Sequence, residues 1–164
     1  MKTYNSYSII VERDDSCTTQ IGKVIHMKVS TKGRYALRVM IDLAQHREAG
    51  FVSLKEIAER QEISMKYLEM IVGILNRADF VQSLRGKSGG YKLARNPKDY
   101  TIGAILKLTE GSMAPVSCVE CGTVTCERAD DCITLPLWKG LDKVIDDYLE
   151  SMTLEDLLER KEEN

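Results

Sequence analysis

Three patterns in the sequence predict a mainly α-helical chain with one small β-hairpin. Apolar residues recur at helical spacing along most of residues 31–161. Ser53-Leu54-Lys55-Glu56 has the form of a capping box, in which a serine and a glutamate three positions on satisfy two open backbone donors reciprocally. Two short alternating runs flank the glycine-rich turn Arg85–Gly90.

The elements follow in order. Thr31 is placed to cap a helix to about residue 46, with Ala36, Leu37, Val39, Met40, Leu43 and Ala44 on its apolar side. Gly50 interrupts the pattern. The capping box opens a second helix to about Arg60, and Gln61-Glu62-Ile63 turns the chain. Ser64 caps a third helix to about Ala78, marked by Tyr67, Leu68, Ile71, Val72, Ile74 and Leu75. Phe80–Leu84 and Tyr91–Leu93 read as strands, and the glycines between them allow a tight turn. Thr101 caps a short helix that Gly111 stops. After a cysteine-rich loop, Leu137, Leu141, Val144, Ile145, Tyr148, Leu149 and Met152 form a long apolar stripe. Thr153-Leu154-Glu155-Asp156 starts a last helix to about Lys161. The expected organisation is a detached leader (1–26), a winged helix-turn-helix (27–100), a linking helix and cysteine loop (101–136), and a dimerisation helix with a C-terminal helix (137–164).

At 164 residues, 43% hydrophobic and 29% charged, the chain suits one globular domain, or a small domain with an appendage. It has no apolar run of about 18 residues, so no membrane span is expected. The N-terminal apolar run is too short for a secretory segment, and the expected location is the cytoplasm. The net charge of −2 conceals an asymmetry. Residues 27–100 carry 14 Lys/Arg against 8 Asp/Glu, whereas residues 101–164 carry 6 against 14. A basic first half suits a polyanionic partner.

Helix, turn, helix, then hairpin is the order of a winged helix-turn-helix, whose second helix fits a DNA major groove. Ser64, Lys66 and Tyr67 occupy its first turns, with Glu69 and Met70 one turn deeper. Glu69 can accept from a cytosine amino group, which confers specificity rather than affinity. Arg85, Gly86 and Lys87 form a cationic wing tip suited to a minor groove. Lys28, Lys32 and Arg34 can hold phosphates, and Ser53 joins the DNA-facing candidates. Each residue also has a plain structural reading: Ser64 as a cap, Tyr67 as half-buried, the turn as a solvated hairpin.

Four of the five cysteines lie within 15 residues: Cys118, Cys121, Cys126 and Cys132. Several thiolates on one glycine-containing loop can wrap an iron–sulfur cluster. Structural zinc and bare redox thiols are the alternatives. Cys118-Val119-Glu120-Cys121 also has dithiol-oxidoreductase spacing, but no βαβ unit accompanies it. Neither His26 nor His46 has a plausible catalytic partner, and Cys17 is assigned no chemistry. The chain reads as a non-enzyme.

Met27–Arg38, Ile63–Glu69 and Arg85–Tyr91 resemble the opening, recognition helix and wing of the Rrf-type transcription regulators, the family of IscR, NsrR and CymR. The likeness is strongest to its iron–sulfur cluster regulator and covers about residues 27–160. It implies a homodimer on a partly palindromic double-stranded operator. It also implies a base-facing set of Ser64, Lys66, Tyr67, Glu69 and Met70, with wing contacts from Arg85 and Gly86. The cluster regulator has Gln where this chain has Met70, so direct amide readout is lost there. For the cluster, the resemblance implies Cys118, Cys126 and Cys132 as ligands, with Trp138 just beyond. Its fourth-ligand positions hold Leu135 and Arg34 here, which leaves Cys121 as the natural candidate and solvent as the alternative. Two-iron and four-iron forms both stay open. The stripe from Leu137 to Met152 is expected to pair two chains, so that the cluster could reset the spacing of the reading helices.

Overall fold

The computed structural model describes residues 29–86, 89–122 and 126–162. The first helix, α1 (Thr31–Gln45), is capped by Ser30 rather than Thr31. The Ser30 hydroxyl accepts from the backbone N–H of Lys32 at 3.1 Å and of Gly33 at 3.5 Å. The cap sits there because the Glu110 carboxylate reaches it from 80 residues away, accepting from the Ser30 hydroxyl at 2.7 Å. The same oxygen accepts the Gly33 N–H at 2.9 Å. A Cβ at Gly33 would stand 2.3 Å from it.

The capping box forms as the sequence predicts and starts α2 (Leu54–Gln61). Glu62 adopts a left-handed φ of 54° and redirects the chain into α3 (Met65–Arg77). Two antiparallel strands follow, β1 (Val81–Leu84) and β2 (Gly90–Leu93), with Val81 opposite Leu93 and Leu84 opposite Gly90. Val52 adds one bridge to Tyr91. Position 90 must be glycine, because a Cβ would lie 2.3 Å from the Val52 carbonyl oxygen.

Helix α4 (Ile102–Glu110) begins under a Thr101 cap. Tyr100, 1% exposed, ties it to the hairpin. The Tyr100 hydroxyl donates to the Phe80 carbonyl and accepts the Arg95 N–H, each at 2.8 Å. The apolar stripe becomes α5 (Leu135–Ser151), and Thr153 and Asp156 form a second reciprocal cap for α6 (Leu154–Glu162).

One core joins most of these elements. Ala36, Val39, Met40 and Leu43 of α1 meet Ile57 of α2, Leu68, Ile71, Val72 and Leu75 of α3, and Val81 of β1. Ile105 of α4 and Leu154 of α6 complete it. Burial of such side chains stabilises a domain by about 1.5–3 kcal/mol each. The last helix therefore returns to the first. Backbone bonds secure that return: the Ile102 N–H donates to Met152 at 2.8 Å, and the Leu154 N–H to Tyr100 at 2.9 Å.

Helix α5 is different. Its inner side is tied to α4 by Glu150, which accepts from the Thr101 hydroxyl at 2.7 Å and the Lys107 ammonium at 2.8 Å. Its outer side leaves Leu137 (61% exposed), Leu141 (38%), Val144 (65%) and Tyr148 (59%) in solvent. Residues spaced four, seven and eleven positions apart share one face of a helix.

Candidate nucleic-acid interface and cysteine loop

A buried charge cluster holds the helix-turn-helix together. Asp42 of α1 is 1% exposed. Its carboxylate accepts two hydrogen bonds from the Arg60 guanidinium, at 2.9 and 2.7 Å, and one from the Gln61 amide at 3.0 Å. Burial alone pushes the Asp42 carboxyl up. The bonds from Arg60 and Gln61, with the charges of Arg60 and His46, outweigh it and hold the group below its ordinary 3.8. His46 is less solitary than the sequence suggests, since its Nδ1 lies 2.8 Å from the Asp42 carbonyl oxygen and 3.9 Å from the carboxylate. Arg38 donates to Gln61 Oε1 at 3.1 Å and to the Gln61 carbonyl, and its guanidinium stacks 5.3 Å from the Tyr35 ring.

This scaffold presents one face of α3 to solvent. Ser64, Lys66, Glu69 and Met70 are exposed there, and Tyr67 is half-buried. The Tyr67 ring stands edge-on to Tyr35 with centroids 5.7 Å apart. Ser64 occupies the N-cap position, yet its side chain makes no capping bond. Its hydroxyl and the open N–H groups of the first turn therefore face solvent together, an arrangement suited to a phosphate. Ser53 differs: its hydroxyl donates to Glu56 Oε2 at 2.7 Å and accepts the Glu56 N–H at 3.3 Å, so the capping box engages it as both donor and acceptor.

At the wing, Arg85 is exposed and Gly86 has a φ of 114°, a conformation that favours glycine. Lys32 is half-buried, and Arg34 is exposed and donates to the Thr31 hydroxyl at 3.2 Å. Lys28 and Lys87 lie outside the described residues.

The cysteine loop connects α4 to α5. A short helical turn, Ser117–Gly122, carries Cys118 and Cys121. Ala114, Val119 and Leu135 form a small second core, against which Val116, Cys118, Ala129, Cys132 and Trp138 pack. Cys118 and Cys132 are thus brought to the same core, while Cys126 is exposed; these three carry free thiols. The Thr134 hydroxyl, 3.4 Å from Cys132 Sγ, lowers the Cys132 thiol from its ordinary range, aided by the N–H groups of Thr134 and Leu135 and by the Arg128 charge. The donor chemistry suits a soft metal centre. Among the described residues, however, no three His, Cys, Asp or Glu side chains converge into a metal cage, and the Cys121 side chain lies outside them.

Asp42, Arg60 and Glu110 were not singled out from sequence. The one available signal was an acid set between Met40 and Leu43 in an apolar repeat.

The family model for Rrf2, described as iron-dependent transcriptional regulators, matches residues 29–160. A Neisseria meningitidis protein named as an HTH-type transcriptional regulator is 42% identical over 136 residues, covering 82% of this chain and 90% of that one. The HTH-type transcriptional regulator IscR of Pectobacterium atrosepticum is 38% identical over 136 residues, covering 83% and 82%. Among solved structures, the global cysteine regulator CymR of B. subtilis aligns with a TM-score of 0.65 at 40% identity, covering 79% of this chain and 95% of that one. T. potens IscR aligns with a TM-score of 0.66 at 41% identity, covering 83% and 89%.

Proposed function

Because this chain belongs to the Rrf2 family of transcriptional regulators, we propose that it binds operator DNA sequence-specifically as a homodimer and that an iron–sulfur cluster on its cysteine loop tunes that binding. Its relatives are regulators rather than enzymes. The observation that carries the DNA reading is the outer face of α3, where Ser64, Lys66, Glu69 and Met70 stand exposed. Lys66 and the Ser64 hydroxyl hold phosphate, Glu69 accepts from a base amino group, and Arg85 on the wing enters the adjacent minor groove. Lys28, Lys32, Arg34 and Lys87 add phosphate contacts, and Ser53 completes the DNA-facing set.

The open face of α5 supports the dimer. Leu137, Leu141, Val144 and Tyr148 form an apolar line that a second copy would cover. A two-fold pair places two reading helices on half-sites about one helical turn of DNA apart.

Cys118, Cys126 and Cys132 are the proposed cluster ligands, with Cys121 as the candidate fourth. Cys118 and Cys132 already share a core with Trp138 at the start of α5, which supports this reading. When bound, the cluster supplies a redox-responsive centre beside the dimer helix. Structural zinc or a bare thiol switch is the competing reading, and two-iron and four-iron forms both suit the donors.

The test is anaerobic purification with assay of iron, acid-labile sulfide and zinc, followed by duplex titration at several salt concentrations with loaded and stripped protein. Iron with sulfide, and an affinity that falls steeply with salt and differs between the two forms, is the expected result. A colourless protein with one zinc per chain would overturn the cluster. Absence of salt-dependent duplex binding in both forms would overturn the DNA reading.

A further inference from the structure

The outer face of α3 carries an apolar side chain that the fold does not use. Met70 is 43% exposed. Leu68, Ile71, Val72 and Leu75 supply the buried side of this helix. At about 100° per residue, Met70 points roughly 150° away from the mean direction of those four. It lies one turn beyond Lys66, whose ammonium suits a phosphate, and next to Glu69, whose carboxylate suits a base amino group. Between such groups a thioether offers neither donor nor strong acceptor. It does offer a flexible apolar surface that adapts to small apolar partners. In a major groove the one apolar group on a base edge is the 5-methyl of thymine.

We propose that Met70 reads thymine through apolar contact with its 5-methyl group. The inference rests on the DNA-binding reading above and adds which base that part of α3 selects. Covering one methyl contributes about 0.8 kcal/mol, which corresponds to about fourfold in affinity at 1.4 kcal/mol per tenfold. A symmetric dimer makes the contact twice, so its loss at both half-sites costs roughly 15-fold.

The test begins with the full chain, prepared without oxygen and used both loaded and stripped, selecting duplexes from a randomised pool. Each thymine of the selected site is then replaced by deoxyuridine, which removes only the methyl, and binding is followed by fluorescence anisotropy. Wild type is expected to lose about fourfold at one thymine per half-site. Met70→Leu should keep that penalty, whereas Met70→Gln should abolish it and, in a fresh selection, prefer adenine at that position. Equal affinity for thymine and uracil at every position, or a uracil penalty that persists in Met70→Gln, would overturn the thymine readout alone. Failure to retain any duplex would overturn the DNA-binding reading and this inference with it.

Discussion

Exchanging the two halves of the Asp42–Arg60 pair should have unequal effects. Asp42 is 1% exposed, whereas the Arg60 side chain is 33% exposed. In Asp42→Asn the leftover guanidinium can turn to water, and the amide keeps part of the bond to Gln61. The expected loss is about 2 kcal/mol, below the 3–5 kcal/mol typical when a charge is left buried and unpaired. In Arg60→Met the leftover group is the buried carboxylate, and the loss should reach about 3–5 kcal/mol. The double variant buries no lone charge and should lose less than the sum of the two. The pH dependence must also reverse. In wild type the Asp42 carboxyl sits below its ordinary 3.8, so its contribution is complete above that value and is lost as pH falls through the depressed one. In Arg60→Met burial dominates and raises the carboxyl, so lowering the pH from 7 should recover stability as the group takes up a proton. Urea denaturation followed by circular dichroism at pH 7, pH 5 and pH 3 measures all four proteins. Equal losses for the two single variants, or no reversal with pH, would refute this account of the cluster.

Three further outcomes are expected. Ser53→Ala should cost about 1 kcal/mol by removing a working cap, whereas Ser64→Ala should cost less than about 0.5 kcal/mol and instead weaken duplex binding; the reverse order in denaturation would contradict the assignment of the two hydroxyls. Gly90→Ala forces a Cβ to within 2.3 Å of the Val52 carbonyl oxygen and 2.9 Å of the Ser53 nitrogen, so a loss of about 3 kcal/mol or more is expected in thermal unfolding, and a neutral effect would show the bridge to be dispensable. Val144→Asp combined with Tyr148→Lys places charges on the open face of α5 and should yield a folded monomer by sedimentation equilibrium with weakened operator binding; an undisturbed dimer would move the interface elsewhere.

Much of the candidate site was legible because its signals are local. Ser53 and Glu56 are three residues apart and recognise each other wherever the chain goes, and the caps at Thr101 and Thr153 follow the same logic. The α3 face was legible from period alone, since residues opposite a buried stripe must meet solvent. What hid were the partners of charged groups. Asp42 finds Arg60 18 positions away, and Glu110 finds Gly33 77 positions away, distances over which sequence spacing carries no geometric information. Ser64 shows the same limit in reverse: cap composition was right, yet the hydroxyl stays uncommitted.

The residues alone therefore determined where α2, α3, α4 and α6 start, which helix faces are apolar, that a glycine turn separates two strands, and that thiols gather on one loop. Each of these depends on neighbours within about one helical turn or one hairpin. The tertiary structure alone decided that α6 closes on α1 through Leu154, that an acid at the end of α4 takes over the start of α1, and that Cys118 and Cys132 share a core with Trp138. Those outcomes depend on how the chain folds back over many tens of residues, where the burial of apolar surface sets the path and hydrogen bonds then select the partners found along it.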